Sequence, residues 1–398
     1  MDGVARRASE PRVTTRAASN DVDMIAERIR DAGSRGASLR IAGGGHWLDA
    51  GQRCTADARL DIGGHAGVVS YEPGDLTLTA RAGTSLGEIE RVTAGEGQWL
   101  TLDPFGSGDG TIGATIATAS AGPLASAYGT PRDHVLGCEF VTGAGDVVRA
   151  GGRVVKNVAG FDLVRLVTGS WGTLGVLTEM TVRLRARPEV DRTLFVQVSG
   201  RDQEAVAASA WRWTRDSDYR PLAAELLSPS LATRLGGDGD AQFLVRLGGN
   251  AAFVDAAADS VASVGDVREV RADTWRDLRA AEPSRAIVFR ASTLPANAAA
   301  LFARLATLAE TLGGYAHATV SRGVVRCVIP GTEAHSALRD IRQSLEAIGA
   351  TATIIGERMP VELWSTVSRP LDSLALAARI RASFDPRGIM NPGLLGTA

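Results

Sequence analysis

The segment Ile41-Ala42-Gly43-Gly44-Gly45-His46 decides the fold of this 398-residue chain. A short apolar run, predicted as a strand over 38–42, ends here in three residues that have no side chain. Consecutive glycines let backbone N–H groups converge on an anion such as a phosphate, although a flexible turn would have the same composition. In a Rossmann crossover the glycines open a helix, but residues 47–52 show no helical period. The segment therefore indicates an anion-binding loop outside the Rossmann class.

Two further glycine-rich segments follow in the same half of the chain. The segment 103–115 runs into small residues over 116–122, and the segment 169–175 has the spacing G-x-x-G-x-x-G. Small residues let a flat group or another backbone approach closely, and a tightly packed helix start is the alternative for the first segment. A strand-like alternation over 176–184 follows the second segment. Three loops that expose their backbone suit a long, flat, anionic ligand better than a small metabolite.

Composition narrows the function classes. The 43 basic and 45 acidic residues are mixed along the chain and give a formal charge of −2, so no basic surface for nucleic acid is predicted. Cys54, Cys138 and Cys327 are far apart and form no C-x-x-C pair for zinc or an iron–sulfur cluster. No apolar run approaches the ~20 residues that a membrane span needs, and the N-terminus lacks a signal-peptide core. We therefore expect a cytoplasmic protein with no membrane span.

Residue patterning changes at about Pro188. Before it, short strands and two helices, one through about Ala32 and one over 85–94, predict a β-rich α+β domain. After it, strands interleaved with alanine-rich helices predict an open antiparallel sheet with helices on one face. These helices are predicted at 203–210, 251–263, 297–311 and 333–348, and the strands at 193–198, 242–247, 286–290, 324–329 and 352–355. The predicted division is residues 1–187, a cap domain at 188–365, and a C-terminal segment at 366–398 that is rigid around Asn391.

Six motifs occur in a characteristic order. They are the G-G-G loop, T-I-G-A-T at 111–115, Y-G-x-x-R-D at 128–133, V-K-N-V-A-G-F-D-L at 155–163, the loop at 169–176, and D-P-x-G-I-x-N-P-G at 385–393. Together they resemble the FAD-binding superfamily of vanillyl-alcohol oxidase and p-cresol methylhydroxylase, and within it the glycolate oxidase E-subunit branch. The similarity covers about 14–184 and resumes in the C-terminal segment.

The resemblance implies a two-subdomain FAD-binding domain of the p-cresol methylhydroxylase type, with an antiparallel-sheet cap that supplies the substrate pocket. The FAD pyrophosphate would lie against the G-G-G loop, the adenine half along 169–176, and Asn391 would reach the isoalloxazine edge. The cofactor-binding residues that the resemblance implies are Ala42, Gly43, Gly44, Gly45, His46, Trp47, Pro104, Asp109, Thr111, Ile112, Gly113, Thr115, Ala117, Thr118, Gly122, Gly129, Arg132, Gly172, Gly175, Val176 and Asn391.

The chain departs from its resemblance at two places. Relatives of the glycolate oxidase D subunit carry a metal segment, H-x-G-D-G-N-x-H, whose counterpart at 316–325 keeps only His317. We therefore expect no metal site. His46 stands where many E-subunit relatives have serine or threonine, whereas G-G-H relatives join this histidine covalently to the flavin 8α-methyl. His46 is accordingly either a covalent anchor or a residue that hydrogen-bonds the pyrophosphate or the flavin ring.

The reaction that the resemblance implies is hydride transfer to flavin N5 from an alcohol-type carbon, as in a 2-hydroxy acid such as glycolate. A base must take the hydroxyl proton and a cation must hold the carboxylate. The candidates are His317, Tyr315, Arg322 and Glu357, with Arg326 and Arg358 as further candidates; each also has a purely structural interpretation.

Two other functions stay open. The chain could be an FAD-carrying electron-transfer subunit beside a D-type flavoprotein and an iron–sulfur subunit. It could also be a stand-alone oxidase with covalent FAD and a different small-molecule substrate.

Overall fold

The computed structural model describes residues 19–106, 109–152, 162–198, 202–331, 337–367 and 374–396. Its N-terminal half combines short helices with one five-stranded sheet and two strand pairs. The helices are α1 (Ser19–Ser34), α2 (Leu86–Ala94), α3 (Ile112–Thr118), α4 (Ala125–Tyr128), α5 (Pro131–His134) and α6 (Leu163–Val167). The strands are β1 (Leu39–Ala42), β2 (Ala58–Asp61), β3 (Val68–Glu72), β4 (Thr77–Arg81), β5 (Gln98–Trp99), β6 (Val135–Thr142), β7 (Val147–Gly151), β8 (Gly175–Arg183) and β9 (Arg185–Ala186).

The five-stranded sheet is antiparallel and has the order β3-β4-β8-β6-β7. Strands β6 and β7 form a hairpin, and β8 follows the third glycine segment as predicted. Ile112, Phe140 and Met180 are fully buried in the core that this sheet shares with the helices. The pair β1–β2 is parallel, so the glycine loop leaves β1 at the carboxyl end of that pair.

The second glycine segment ends in a helix start, which was the open alternative for it. Thr111 caps α3 because its side-chain oxygen accepts a hydrogen bond from the Ala114 N–H at 3.2 Å. Close approach also occurs here, since a Cβ on Gly113 would lie 2.7 Å from the Ala82 Cβ. Both properties therefore hold at once: the helix is capped, and its first turn is packed tightly against the sheet.

The C-terminal segment returns to β1. The Leu39 N–H donates to the Ile389 carbonyl at 2.7 Å, and the Asn391 N–H donates back to the Leu39 carbonyl at 2.9 Å. The Asp385 carboxylate fixes the turn by accepting from the N–H groups of Ile389 and Met390. These bonds give Asn391 the rigid position that the sequence predicts.

The cap contains one eight-stranded antiparallel sheet with the order β13-β10-β12-β11-β15-β16-β14-β17. Its strands are β10 (Val190–Val198), β11 (Ala223–Leu227), β12 (Gln242–Gly249), β13 (Gly265–Val270), β14 (Ile287–Ser292), β15 (Tyr315–Thr319), β16 (Val324–Ile329) and β17 (Thr353–Arg358). Its helices are α7 (Gln203–Asp216), α8 (Pro229–Arg234), α9 (Ala251–Ala262), α10 (Thr274–Arg279), α11 (Ala298–Thr311), α12 (Leu338–Gly349) and α13 (Val361–Val367), and α14 (Leu374–Phe384) belongs to the C-terminal segment. The sheet lies within the predicted cap boundaries.

Four long helices, α7, α9, α11 and α12, cover one face of the sheet, as predicted. The shorter helices α8 and α10 pack on the other face through Leu231, Trp275 and Leu278. The strands β11, β13 and β15 were not predicted. The β11 sequence Ala-Ala-Glu-Leu-Leu is rich in helix formers and buried at every position, so it has neither strand composition nor alternation.

Within the described ranges, no helix combines the length and the apolar character needed to cross a bilayer. Residues 332–336, at the start of one predicted helix, lie outside those ranges.

Candidate cofactor and substrate site

A cavity opens over the glycine loop. Twelve of the predicted cofactor-binding residues line it: Ala42, Gly43, Gly44, Gly45, His46, Trp47, Gly113, Ala117, Thr118, Gly172, Gly175 and Asn391. They come from β1, α3, the third glycine loop and the C-terminal segment, which are far apart in the sequence. Trp171, from the predicted stretch 169–176, also lines it, and so do Arg40, Leu48 and Leu394, which were not predicted. The structure therefore brings the separate motifs together around one space.

Nine predicted residues do not line this cavity: Pro104, Asp109, Thr111, Ile112, Thr115, Gly122, Gly129, Arg132 and Val176. Some of them support its wall. Thr111 caps α3 directly behind Gly43, while Ile112 and Thr115 are buried in the core. Gly122 allows the Asp103 backbone to approach closely. Motif matching thus selected residues that shape the cavity together with residues that face it.

The glycines leave no room for side chains in the cavity wall. A Cβ on Gly43 would lie 2.8 Å from Thr111 Oγ1, and one on Gly44 would lie 3.0 Å from His46 Nδ1. Gly172 has a φ of +68°, and its Cβ would lie 2.8 Å from Asn391 Nδ2. Bare backbone of this kind fits the pyrophosphate and the flat rings of FAD.

Asn391 connects the loops that line this cavity. Its side-chain oxygen accepts from the Ile41 N–H at 2.8 Å, and its side-chain nitrogen donates to the Trp171 carbonyl at 2.7 Å. The Trp171 and Trp47 rings meet edge to face with centroids 5.8 Å apart. His46 is exposed beside them, and both roles predicted for it remain open.

A second, smaller cavity adjoins the first, and the two share Trp47, Thr118 and Trp171. Its remaining wall comes from Phe105, Ser120 and Ala121 of the N-terminal half and from Arg290, His317, Thr319, Arg322, Val324, Arg326 and Glu357 of the cap. Three of the four predicted catalytic residues therefore meet in one place.

Tyr315 is the exception, and its prediction as a catalytic residue requires a correction. It lies in an apolar cluster with Leu231 and Val328 and lines neither cavity. Burial raises the pKa of its phenol, and its hydroxyl has no hydrogen-bond partner among the described residues. Although Tyr315 lies on the same strand as His317, it does not reach the second cavity, because helix α8 covers it.

Arg326 is the centre of a buried ion-pair network. Its Nε donates to Glu282 and its Nη2 donates to Glu357, each at 2.6 Å, and its guanidinium lies 4.3 Å from the Phe105 ring centroid. Burial opposes the Arg326 charge, but the two carboxylates outweigh it and raise the pKa of Arg326 overall. The same pairing overcomes burial at Glu357 and holds the pKa of that carboxyl below its usual value.

The network continues in both directions. Glu357 also pairs with Arg290 at 3.1 Å, and Glu282 also pairs with Arg358 at 2.6 Å. Arg358 in turn reaches the loop after the glycines, through Asp49 at 3.0 Å and the His46 carbonyl at 3.4 Å. We call Arg290, Glu357, Arg326, Glu282, Arg358 and Asp49 the charge chain. Its three cations and three anions alternate, so it is neutral and ties the cap to the cofactor loop.

Arg322 stands outside the charge chain. It has no ion-pair partner in the part of the chain that the structure describes, and it is exposed to solvent at the cavity wall. Partial burial and then repulsion from Arg290 lower its pKa, against weaker attraction from Glu225 and Asp133. A guanidinium without a direct carboxylate partner in a cavity wall favours an anionic ligand.

His317 lines the same cavity as Arg322. Its Nδ1 is 2.7 Å from Glu225 Oε2, and the two side chains are 3% and 0% exposed. The Phe105 ring lies against the imidazole with centroids 5.2 Å apart. Glu225 was missed by sequence reasoning because its strand, β11, was not predicted.

A group of three or more metal-ligating His, Cys, Asp or Glu side chains is not found among the described residues. The V-K-N-V-A-G-F-D-L motif lies mostly in 153–161, outside those residues.

Comparison with known proteins agrees with the geometry. Residues 16–151 match the family model of the FAD binding domain. Glycolate oxidase subunit GlcE of Escherichia coli is 40% identical over 176 residues, which are 44% of this chain and 50% of that protein. Glycolate oxidase subunit GlcD of Bacillus subtilis is 37% identical over 142 residues, 36% of this chain and 30% of that protein. The chain thus spans half or less of these relatives.

A solved structure of alkyldihydroxyacetonephosphate synthase matches with a TM-score of 0.66 at 18% identity, over 92% of this chain and 74% of that one. At this identity the match shows the fold alone. Fold, sequence and cavity agree that this chain contains an FAD-binding domain, is similar in sequence to glycolate oxidase subunits, and has FAD as its cofactor.

Proposed function

We propose that this protein oxidises a small 2-hydroxy monocarboxylate, such as glycolate, to the 2-oxo acid, and that the second cavity holds the substrate. The observation that carries the proposal is the position of Arg322, a cation with no ion-pair partner among the described residues, which lines the same cavity as His317 next to the cofactor cavity. FAD, when bound, supplies the hydride acceptor for the substrate α-carbon.

The charges of the second cavity support a monoanionic substrate. Arg326 and Arg290 form ion pairs within the neutral charge chain, so Glu357 and Glu282 balance their charges. Arg322 remains to bind one carboxylate, and a guanidinium binds a carboxylate through two parallel N–H···O bonds. The aromatic ring of Phe105 and the two tryptophans shield the same space from water.

His317 is the residue that we propose as the base. Its Nδ1 faces Glu225, which leaves Nε2 for the substrate hydroxyl. The hydroxyl proton moves to Nε2 while the α-hydrogen leaves as hydride, so the substrate loses two electrons and two hydrogens and becomes the 2-oxo acid. Glu357 is held by Arg326 and Arg290, and we assign it to orienting those arginines.

A second candidate is an electron-transfer subunit of a glycolate-oxidase-like complex, with a D-type flavoprotein and an iron–sulfur protein as partners. The observation in its favour is that the matched relatives are themselves named as subunits. A third is a stand-alone oxidase in which His46 carries covalent FAD. A cytoplasmic location is part of all three proposals.

Anaerobic mixing of the purified FAD-loaded chain with glycolate, D-lactate and L-lactate tests the proposal. Bleaching of the flavin is expected with at least one acid. In Arg322→Met, the acid concentration that gives half-maximal bleaching is expected to rise about 100-fold, within the range for a lost charged hydrogen bond. Arg304→Met, on the exposed side of α11, is the matched control and leaves bleaching unchanged. No bleaching with any acid contradicts the proposal and favours the subunit function.

A further inference from the structure

We infer that Glu225 is a positioning residue: it holds the proton of His317 on Nδ1, so that the Nε2 lone pair is presented to the substrate hydroxyl. The inference rests on the proposed function for its catalytic consequence, but the protonation state of His317 can be measured without any turnover.

Strand pairing sets the contact. β11 and β15 are antiparallel neighbours in which Glu225 is opposite Thr319 and Leu227 is opposite His317. Glu225 and His317 are thus diagonal neighbours on one face of the sheet, a spacing that long side chains can bridge. Both backbones are fixed by the central strands of the cap, so the 2.7 Å contact is built into the sheet.

Burial gives the contact its direction. Glu225 is fully buried, and among the described residues its Oε1 has no hydrogen-bond partner, so His317 is its one hydrogen-bonded neighbour. A buried carboxylate is costly unless it is paired, and an ionised carboxylate only accepts hydrogen bonds. The Nδ1–H of His317 therefore donates to Oε2.

The remaining contacts of the imidazole agree with this role. Phe105 lies against the ring and restricts its rotation, while the His317 side chain lines the substrate cavity. When Nε2 takes the substrate proton, the imidazolium gains its positive charge beside Glu225. The carboxylate thus fixes the tautomer before the reaction and stabilises the charge that forms during it.

The test is imidazole nitrogen NMR on the FAD-loaded protein. The chain has five histidines, and the His317 signals are assigned by their loss in His317→Asn. We expect a neutral ring with a protonated Nδ1 and an unprotonated Nε2. A ring protonated on Nε2 only, or on both nitrogens, overturns the inference, whether or not the enzyme reduces its flavin with an acid.

Two variants complete the test. Glu225→Leu keeps the volume and removes the acceptor, and is expected to shift the His317 proton toward Nε2 and to slow flavin reduction about 100-fold, in the range of a general base. The apparent affinity for the acid is expected to stay within about 2-fold, since Glu225 acts through His317. Glu225→Gln keeps an acceptor oxygen and is expected to retain the Nδ1 proton with a smaller loss of rate. Glu346→Gln, exposed on α12, is the control.

Outcomes separate the two claims. An unchanged rate in Glu225→Leu, or an Nδ1 proton that persists there, overturns the inference. A wild-type protein with the expected tautomer but no flavin reduction removes the proposed function and leaves the Glu225–His317 arrangement established. If Glu225→Leu fails to fold, Glu225→Gln and the wild-type spectrum still decide.

Discussion

The cofactor cavity and the substrate cavity share a wall but are built in opposite ways. The first is lined by backbone, with glycines where any side chain would collide with Thr111, His46 or Asn391. The second is lined by charged side chains whose positions depend on each other through the charge chain. Added atoms are therefore expected to impair FAD binding in the cofactor cavity, whereas removal of a charge is expected to destabilise the second cavity.

Arg326→Met removes the central cation of the charge chain, and we expect this change to have the largest effect. It leaves Glu282 and Glu357 buried without their main partner, and breaking a buried ion pair costs about 3–5 kcal/mol. Denaturant unfolding is expected to show this loss, while Arg304→Met serves as the control. If the free energy of unfolding falls by less than about 1 kcal/mol, the ion pairs of the charge chain do not depend strongly on each other. The contrast between the two cavities would then not hold.

Asp103 lies outside both cavities, where the N-terminal half meets Arg246 and Arg279 of the cap, and gives a pH signal of intermediate size. Burial raises its pKa to about 6 from 3.8, against the opposing effect of Arg279 and of the Leu124 N–H. The folded state therefore binds this proton more tightly than the unfolded chain, so the stabilisation is present below about pH 4 and is lost as the pH rises through about 6.

Asp103→Asn removes that dependence. The full pKa shift corresponds to about 3 kcal/mol at 1.36 kcal/mol per pKa unit, and part of it is already lost at pH 4. The stability of the wild type relative to this variant is therefore expected to fall by about 2 kcal/mol from pH 4 to pH 7. Urea unfolding of both proteins across this range measures it. If the free energy of unfolding has the same pH dependence in both proteins, Asp103 does not titrate in this pH range.

Gly172→Val tests the cofactor cavity by adding atoms. The residue has a φ of +68°, and its Cβ would lie 2.8 Å from Asn391 Nδ2, so strain and overpacking combine. We expect FAD affinity to fall about 100-fold, measured by flavin fluorescence on titration of the apoprotein. Gly95→Ala is the matched control, because Gly95 has an ordinary helical φ and no atom near its Cβ position. If Gly172→Val keeps its affinity for FAD, FAD binding does not require bare backbone at this position.

Sequence reasoning succeeded where the signal is local. Glycine spacing predicted the loops, alternation over 176–184 predicted strand β8, and the proline and glycine pattern around Asn391 predicted a fixed C-terminal segment. These features depend on neighbouring residues, so a single sequence contains the information for them.

Only part of the second cavity could be anticipated from the sequence. His317, Arg322 and Glu357 line it, whereas Tyr315 does not, since helix α8 covers it, and their catalytic roles stay a prediction. Glu225 and Glu282 were missed because their partners are distant in sequence: 92 residues separate Glu225 from His317, and 76 separate Glu282 from Arg358. Charge pairing over such distances has no local pattern.

We propose that Arg322 makes the second cavity a carboxylate-binding site beside the flavin. Titration of the FAD-loaded protein with oxamate, a monocarboxylate with no hydride to lose, tests it through the visible spectrum of the flavin. The account predicts a saturable spectral change whose dissociation constant rises about 100-fold in Arg322→Met and is unchanged in Arg304→Met. Equal affinity in all three proteins, or no spectral change at any concentration, would contradict it.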